Sequence, residues 1–278
     1  MRIAKLKIFL LFYTIISIVS CSKDDSNTPT NVETEKWVIS AKHNDGSRYE
    51  YSYHKNLLTK VTNIKQDGSI EESMVIYNAN NTINKYGNNN YEYDNNGILI
   101  GYNQYSIEGY KGPSMSSRVS VYDKNSSYGD PVMHLRLNNL GRVVYKEVPN
   151  DHYINYFYDE SGNIIKEEYW HRQDILLNTI YYEYSETQNP FYGQLESIYI
   201  QRFIRMNSPV VFLNGYEFPY QKKNIRKVTY FSEINGEPEY YEHIDYSYTY
   251  NSDSDPISIE AVYSNNSNPF KLDLEYNK

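Results

Sequence analysis

Alternation with a period of two dominates the chain. "YEYSY" at 49–53 sets Tyr49, Tyr51 and Tyr53 on one face of an extended strand, with Glu50 and Ser52 on the other. "YSYTY" at 246–250 repeats this with Tyr246, Tyr248 and Tyr250 over Ser247 and Thr249, and "YYEY" at 181–184 continues it. Tyr, Val, Ile and Thr suit a pleated, half-buried surface. Short polar clusters interrupt the runs: "NDGS" at 44–47, "QDGS" at 66–69, "DNNG" at 94–97, "NNLG" at 138–141, "DESG" at 159–162 and "INGE" at 234–237. Asp or Asn starts such a turn by bonding to its own backbone, and Gly accepts the positive φ that other residues resist. The spacing predicts an all-β, antiparallel meander of roughly 14–16 strands, forming a soluble barrel or a strongly curved sheet.

One segment departs from this rhythm. "GQLESIYIQRFIRM" at 193–206 places Leu195, Ile198, Tyr199, Phe203 and Met206 at helical spacing. It also places Ile198, Ile200, Ile204 and Met206 at strand spacing, with Arg202 breaking the row. The preceding turn "NPFYG" tips the reading to a short helix near 193–206. Residues 207–221 then read as a Pro-containing connection before "NIRKVTY" resumes the strands.

The pattern Tyr-x-Tyr-Asp, two spacers, Gly and an apolar run occurs twice, as "YEYDNNGILI" at 91–100 and "YFYDESGNII" at 156–165. It resembles the YD repeats of bacterial surface proteins, in which each unit is a hairpin joining a long wrapped sheet. "VYDKNSSYG" at 121–129 and "RLNNLGRVVYKE" at 136–147 are weaker echoes. The copies keep no fixed period, so this is not a strict solenoid. From Trp37 onward, "YEYSETQNPFYG" (182–193), "KKNIRKVTY" (222–230) and "YSYTYNSDSDPISI" (246–259) resemble a family of Bacteroidota lipoproteins without assigned chemistry. That resemblance implies a porin-like, all-antiparallel fold and is silent on activity.

The N-terminus reads as a targeting segment. Arg2, Lys5 and Lys7 precede an apolar run from Ile8 to Val19, too short to span a bilayer comfortably and suited to a signal peptide. "IVSC" at 18–21 resembles a bacterial lipobox, which implies a signal peptide over 1–20 and lipid on Cys21. Cys21 is the only cysteine, so it has no partner within the chain. Residues 21–35 read as anchor and flexible tether, and 36–278 as a single all-β domain. "CSKDD" resembles the acidic export signal of Bacteroidota surface lipoproteins, though a plain solvated linker accounts for it equally. The location implied is the outer membrane, lipid-anchored and facing outward.

Charge then narrows the partners. Removing residues 1–20 takes three of the 27 basic residues and leaves 24 against 35 acids, a net charge of −11. Such a chain repels phosphate backbones, so nucleic acid is not an expected partner. Hydrophobic residues make up 40% of the chain, but its 33 tyrosines belong to that share, so the interior is expected to be thin, wet or tyrosine-lined. A membrane barrel needs strands of about 9–11 residues with an apolar outer face. Here the face opposite the tyrosines carries Glu, Ser, Thr, Asn and Lys.

No strong catalytic signature appears. The six histidines show no ligand spacing, and neither G-x-S-x-G nor a P-loop is present. No catalytic residue, metal or cofactor is assigned. Glu71-Glu72 and Glu167-Glu168 are neighbours on strands and point to opposite faces. "NSDSDP" at 251–256 has alternating oxygen ligands but lacks the Gly and closing Glu of a calcium loop, so a polar hairpin turn is the simpler account. The tyrosine rows (Tyr49, Tyr51, Tyr53, Tyr246, Tyr248, Tyr250) and Trp170 are the candidate contacts for a glycan or peptide. Because the rows are spread over the whole chain, filling a wide barrel is the competing role. The expected protein is a non-enzymatic binding or scaffolding lipoprotein. The alternatives are a polysaccharide hydrolase with carboxylates in the barrel lumen and an accessory subunit of an outer-membrane complex.

Overall fold

The computed structural model describes residues 36–112, 115–205, 221–234, 237–265 and 269–277. The signal peptide, Cys21 and the tether lie outside the described residues, as do Met206 and the connection over 207–220. The strands are β1 (Val38–His43), β2 (Arg48–His54), β3 (Leu57–Ile64), β4 (Ile70–Tyr77), β5 (Ile83–Tyr86) and β6 (Asn89–Tyr93). Next come β7 (Leu99–Tyr102), β8 (Tyr105–Glu108), β9 (Ser117–Asp123), β10 (Met133–Leu137), β11 (Val143–Val148) and β12 (His152–Tyr158). The last are β13 (Ile164–His171), β14 (Ile175–Gln188), β15 (Lys223–Ile234), β16 (Glu237–Tyr250), β17 (Pro256–Tyr263) and β18 (Phe270–Tyr276).

Each strand pairs antiparallel with its neighbour in sequence, and β1 pairs with both β2 and β18, so the 18 strands form a closed barrel. The count exceeds the 14–16 expected from turn spacing because β5, β7 and β8 are four residues long. Such strands are too brief to display an alternation of their own. Closure leaves no unpaired sheet edge. Antiparallel alternation sends every turn after an even-numbered strand to one end, where the chain also enters at Trp37 and leaves at Asn277. We call this the entry end and the opposite one the far end.

The entry end is built from one turn used repeatedly. In five hairpins an Asp or Asn accepts a bond from the backbone N–H three residues on and donates its own N–H to the carbonyl four residues on. These residues are Asn78, Asp94, Asn138, Asp159 and Asn251. The side-chain oxygens of Asp94, Asn138 and Asn251 also take backbone N–H groups two and four residues ahead. The fourth residue of the turn has positive φ: Asn81 (+62°), Gly97 (+76°), Gly141 (+70°), Gly162 (+96°) and Ser254 (+68°). Asn251–Asp255 is therefore a hairpin turn, and its acids Asp253 and Asp255 sit 2.5 and 3.1 Å from Lys36 Nζ.

Tyrosines toward the entry end of the even-numbered strands share a task. Seven hydroxyls on even-numbered strands donate to a carbonyl near the start of the preceding odd-numbered strand: Tyr53 to Val38, Tyr77 to Leu58, Tyr93 to Ile83, Tyr158 to Val143, Tyr184 to Ile164, Tyr248 to Ile225 and Tyr276 to Pro256. The donor–acceptor distances run from 2.6 to 3.0 Å. In six cases the ladder between the tyrosine's strand and the next strand has a β-bulge within two residues of the tyrosine. The phenols thus form a ring of bonds around the entry rim, each worth about 0.5–1.5 kcal/mol.

The interior is filled. Side chains of alternate residues converge inward, among them Leu58, Leu135, Ile154, Val228, Ala261 and Leu272. An insert between β14 and β15 enters the lumen. It contains a 3₁₀ turn (Glu196–Ile198) and α1 (Tyr199–Arg205). Its neck is closed by Asn189, which bonds to the Lys222 carbonyl through its N–H and to the Gln221 carbonyl through its side chain. Phe191 packs on Tyr51 of β2, Ser197 Oγ accepts the Ile83 N–H of β5, Tyr199 Oη accepts the Val143 N–H of β11, and Phe203 packs edge-on against Tyr156 of β12. The insert therefore bridges walls far apart around the ring. Residues Tyr199 to Ile204 are all buried, which is why both helical and strand periods look apolar in the sequence.

The outer wall carries mid-strand ion pairs such as Lys60–Glu72, Lys166–Glu168 and Lys271–Asp273. Charges there would each cost about 2–4 kcal/mol if this wall lay against lipid tails.

Candidate functional site

The nominated tyrosines occupy structural positions. Tyr49, Tyr51 and Tyr246 are buried among inward-facing neighbours. Tyr53 and Tyr248 belong to the rim ring, and Tyr250 meets Thr187 Oγ1 at 2.9 Å. Trp170 lies on the outer wall. Its ring stacks on Tyr153 at 5.9 Å and 2°, Tyr153 leans on Tyr145, and Arg136 caps Tyr145 at 4.0 Å. Its indole N–H donates to Glu168. One face of the strongest stacking ring is therefore already taken by a cross-strand ladder.

The structure reveals a buried charged cluster that the sequence did not single out. Lys146 of β11 is 2% exposed and Glu167 of β13 is 0% exposed. Both project into the barrel, and neighbouring Glu168 points outward to Lys166, as alternation requires. Tyr169 and Tyr182 donate their hydroxyls to the two Glu167 oxygens at 2.9 and 3.0 Å. Burial lowers the Lys146 ammonium to about 8, against the opposing attraction of Glu167. Burial also raises the Tyr156 phenol well above its ordinary range, and the Glu167 charge adds to that shift. Only the period-two phase of each strand could have pointed to these residues, and it says nothing of which inward residues meet.

Above this cluster, at the far end, the long strands β14, β15 and β16 frame an open cleft of about 250 Å³. Tyr169, Ile180 and Tyr230 line it, with Asn178, Ser232 and Glu242 as polar groups and Tyr241 at its edge. The β15–β16 ladder slips between Tyr230 and Phe231, which pair with Glu242 and Tyr240, so Tyr241 is the extra residue of a bulge. That bulge turns Tyr241 out to 70% exposure. Tyr230 is pushed up to about 12 by burial first, then by Glu167 and Glu242. Phenol rings, two neutral polar groups and one carboxylate thus share a solvent-open concavity, a surface that can stack on a sugar ring and bond its hydroxyls.

No protein-family model matches the chain, and no curated protein matches it. Among solved structures it is similar to a porin-like protein from Bacteroides vulgatus, at 14% identity over 87% of this chain and 99% of that one, with a TM-score of 0.38. A porin-like protein from Bacteroides uniformis is similar at 11% identity over 86% and 96%, with a TM-score of 0.29. The N-terminal domain of effector protein SpvB from Salmonella typhimurium is similar at 12% identity over 87% and 86%, with a TM-score of 0.26. The class of the molecule, a closed antiparallel barrel with an occupied lumen, rests on its own strand pairings.

Proposed function

We propose that this chain is a lipid-anchored, non-enzymatic barrel of the cell envelope that captures glycan at its far-end cleft. The observation that carries the reading is the cleft itself, an open concavity rimmed by phenols and polar groups. The lipobox-like "IVSC" and the polar tether support anchoring through Cys21. The described barrel begins at the entry end, where Trp37 N–H donates to the Asn277 side-chain oxygen. The cleft lies at the opposite end of the barrel.

The hydrolase alternative draws less support. Glu167 is sealed, and both its oxygens accept tyrosine hydroxyls. That leaves Glu242 as the carboxylate open to the cleft, and glycoside hydrolysis commonly needs two.

Saturation-transfer NMR of the full chain against neutral oligosaccharides and short peptides tests the reading. Neutral glycans should bind, and Tyr241→Ala should weaken them about tenfold, the loss of one stacking contact. The unfolding midpoint should stay unchanged, because Tyr241 is exposed. Absence of glycan binding, or an indifferent Tyr241→Ala variant, would sink the proposal.

A further inference from the structure

We infer that a second cleft, at the entry end, binds a sugar that carries a carboxylate. It measures about 240 Å³ and lies between the β10–β11 turn, the β12–β13 turn and the base of the insert. Arg142 and Lys222 line it together with the rings of Tyr158, Tyr192, Tyr199 and Phe203.

Two cations face this cleft on an acidic chain. Lys60, Lys124, Lys166, Lys223, Lys227 and Lys271 all pair with carboxylates. Among the described residues Arg142 and Lys222 have no ion pair. Arg142 gives one N–H to the Asp159 carbonyl at 3.2 Å and keeps the rest of its fork. Its guanidinium lies 5.6 Å over the Tyr158 ring and flat against Gly162, where a Cβ would stand 2.7 Å from Nη2. The glycine of the second Tyr-x-Tyr-Asp motif thus makes room for the arginine. Lys222 Nζ sits 5.8 Å over the Tyr192 ring. Of the nearby acids, the Asp159 carboxylate takes two bonds from Asn163.

This chemistry asks for two features in one ligand. A bare anion would satisfy the cations and leave the half-buried rings of Tyr158 and Tyr192 uncovered. An apolar or neutral ligand would cover the rings and leave two charges unpaired. A hexuronate supplies both, with its carboxylate on the Arg142 fork and near Lys222 and its C–H face on a phenol ring. The volume falls below the roughly 300–1,000 Å³ of drug-sized sites, so it accepts one sugar unit with its neighbours projecting outward. The cleft shares no residue with the far-end site and does not depend on it.

Titration of the full chain with sodium glucuronate, followed by saturation-transfer NMR, tests the inference, with glucose, sodium acetate and inorganic phosphate as comparisons. Glucuronate should bind at least about tenfold tighter than each comparison, since each lacks one of the two features. Arg142→Gln should weaken it about tenfold or more, Lys222→Gln by a smaller factor, and Tyr241→Ala not at all. Glucuronate binding no tighter than acetate or phosphate, or undiminished in Arg142→Gln, overturns it. Should Arg142→Gln lower the unfolding midpoint, Lys222→Gln decides alone: its side chain is exposed, and unchanged binding in that variant overturns the inference.

Discussion

At the scale of single residues, the buried Lys146–Glu167 pair is where charge and stability meet. Removing one partner leaves the other charge uncompensated in the interior, so Glu167→Gln should cost about 3–5 kcal/mol in urea unfolding. The pair also gives the fold a signed pH dependence. Lys146 ionises at about 8 in the folded chain against 10.5 ordinarily. Between those values the unfolded chain holds more protons on this residue, so stability rises with pH through that window, and below it the cost is present in full. Buried phenols such as Tyr156 and Tyr158 act oppositely: their folded ionisation is raised, so stability falls once the unfolded phenols ionise near 10. Urea midpoints measured across pH should peak between about 8 and 10, and Lys146→Met should flatten the rise. A midpoint that falls steadily from pH 7 would contradict the assignment.

At the scale of elements, the hairpins and the short helix near 193–206 are legible in the sequence, and the place of that helix in the fold is not. "YEYDNNGILI" shows its strand, its turn and its returning strand, because each depends on neighbours within ten positions. Nothing in "YIQRFIR" announces that α1 sits inside a ring of strands, since its surroundings come from β11 and β12 and those of the rest of the insert from β2 and β5. The Tyr-x-Tyr half of the motif behaves likewise. Its phase is local, whereas the carbonyl that Tyr158 meets belongs to Val143, 15 residues earlier. The insert's packing makes a prediction of its own. Phe203 is 1% exposed and makes edge contacts with Tyr156 and Tyr199. Phe203→Ala should cost about 3–5 kcal/mol. Leu140→Ala, at a turn position 61% exposed, should stay within about 0.5 kcal/mol. Equal, small effects in denaturant melts would mean that the insert does not support the barrel.

At the scale of the whole molecule, closure and filling separate this barrel from a pore. Eighteen strands would enclose a channel if the inward residues left the axis clear. Here inward tyrosines and the insert occupy that space, and ion pairs lie mid-strand on the outside among exposed apolar side chains such as Ile76 and Ile165. Attachment is then expected through lipid alone. Cys21→Ala should leave the protein in the soluble fraction or as an uncleaved precursor, read by membrane fractionation and metabolic labelling with a fatty acid. Undiminished acylation and membrane retention would refute the anchor.

The sequence by itself determined the strands, their turns, the antiparallel order and the inward phase of the tyrosines, because alternation, turn chemistry and glycine's positive φ act over a few residues. The tertiary structure decided what those tyrosines do and where a ligand could sit. Ring closure brought phenols to carbonyls, Lys146 to Glu167, and Arg142 to a cleft beside the insert. Each of these meetings joins residues on different strands, and only the register and curvature of the closed barrel bring them within reach.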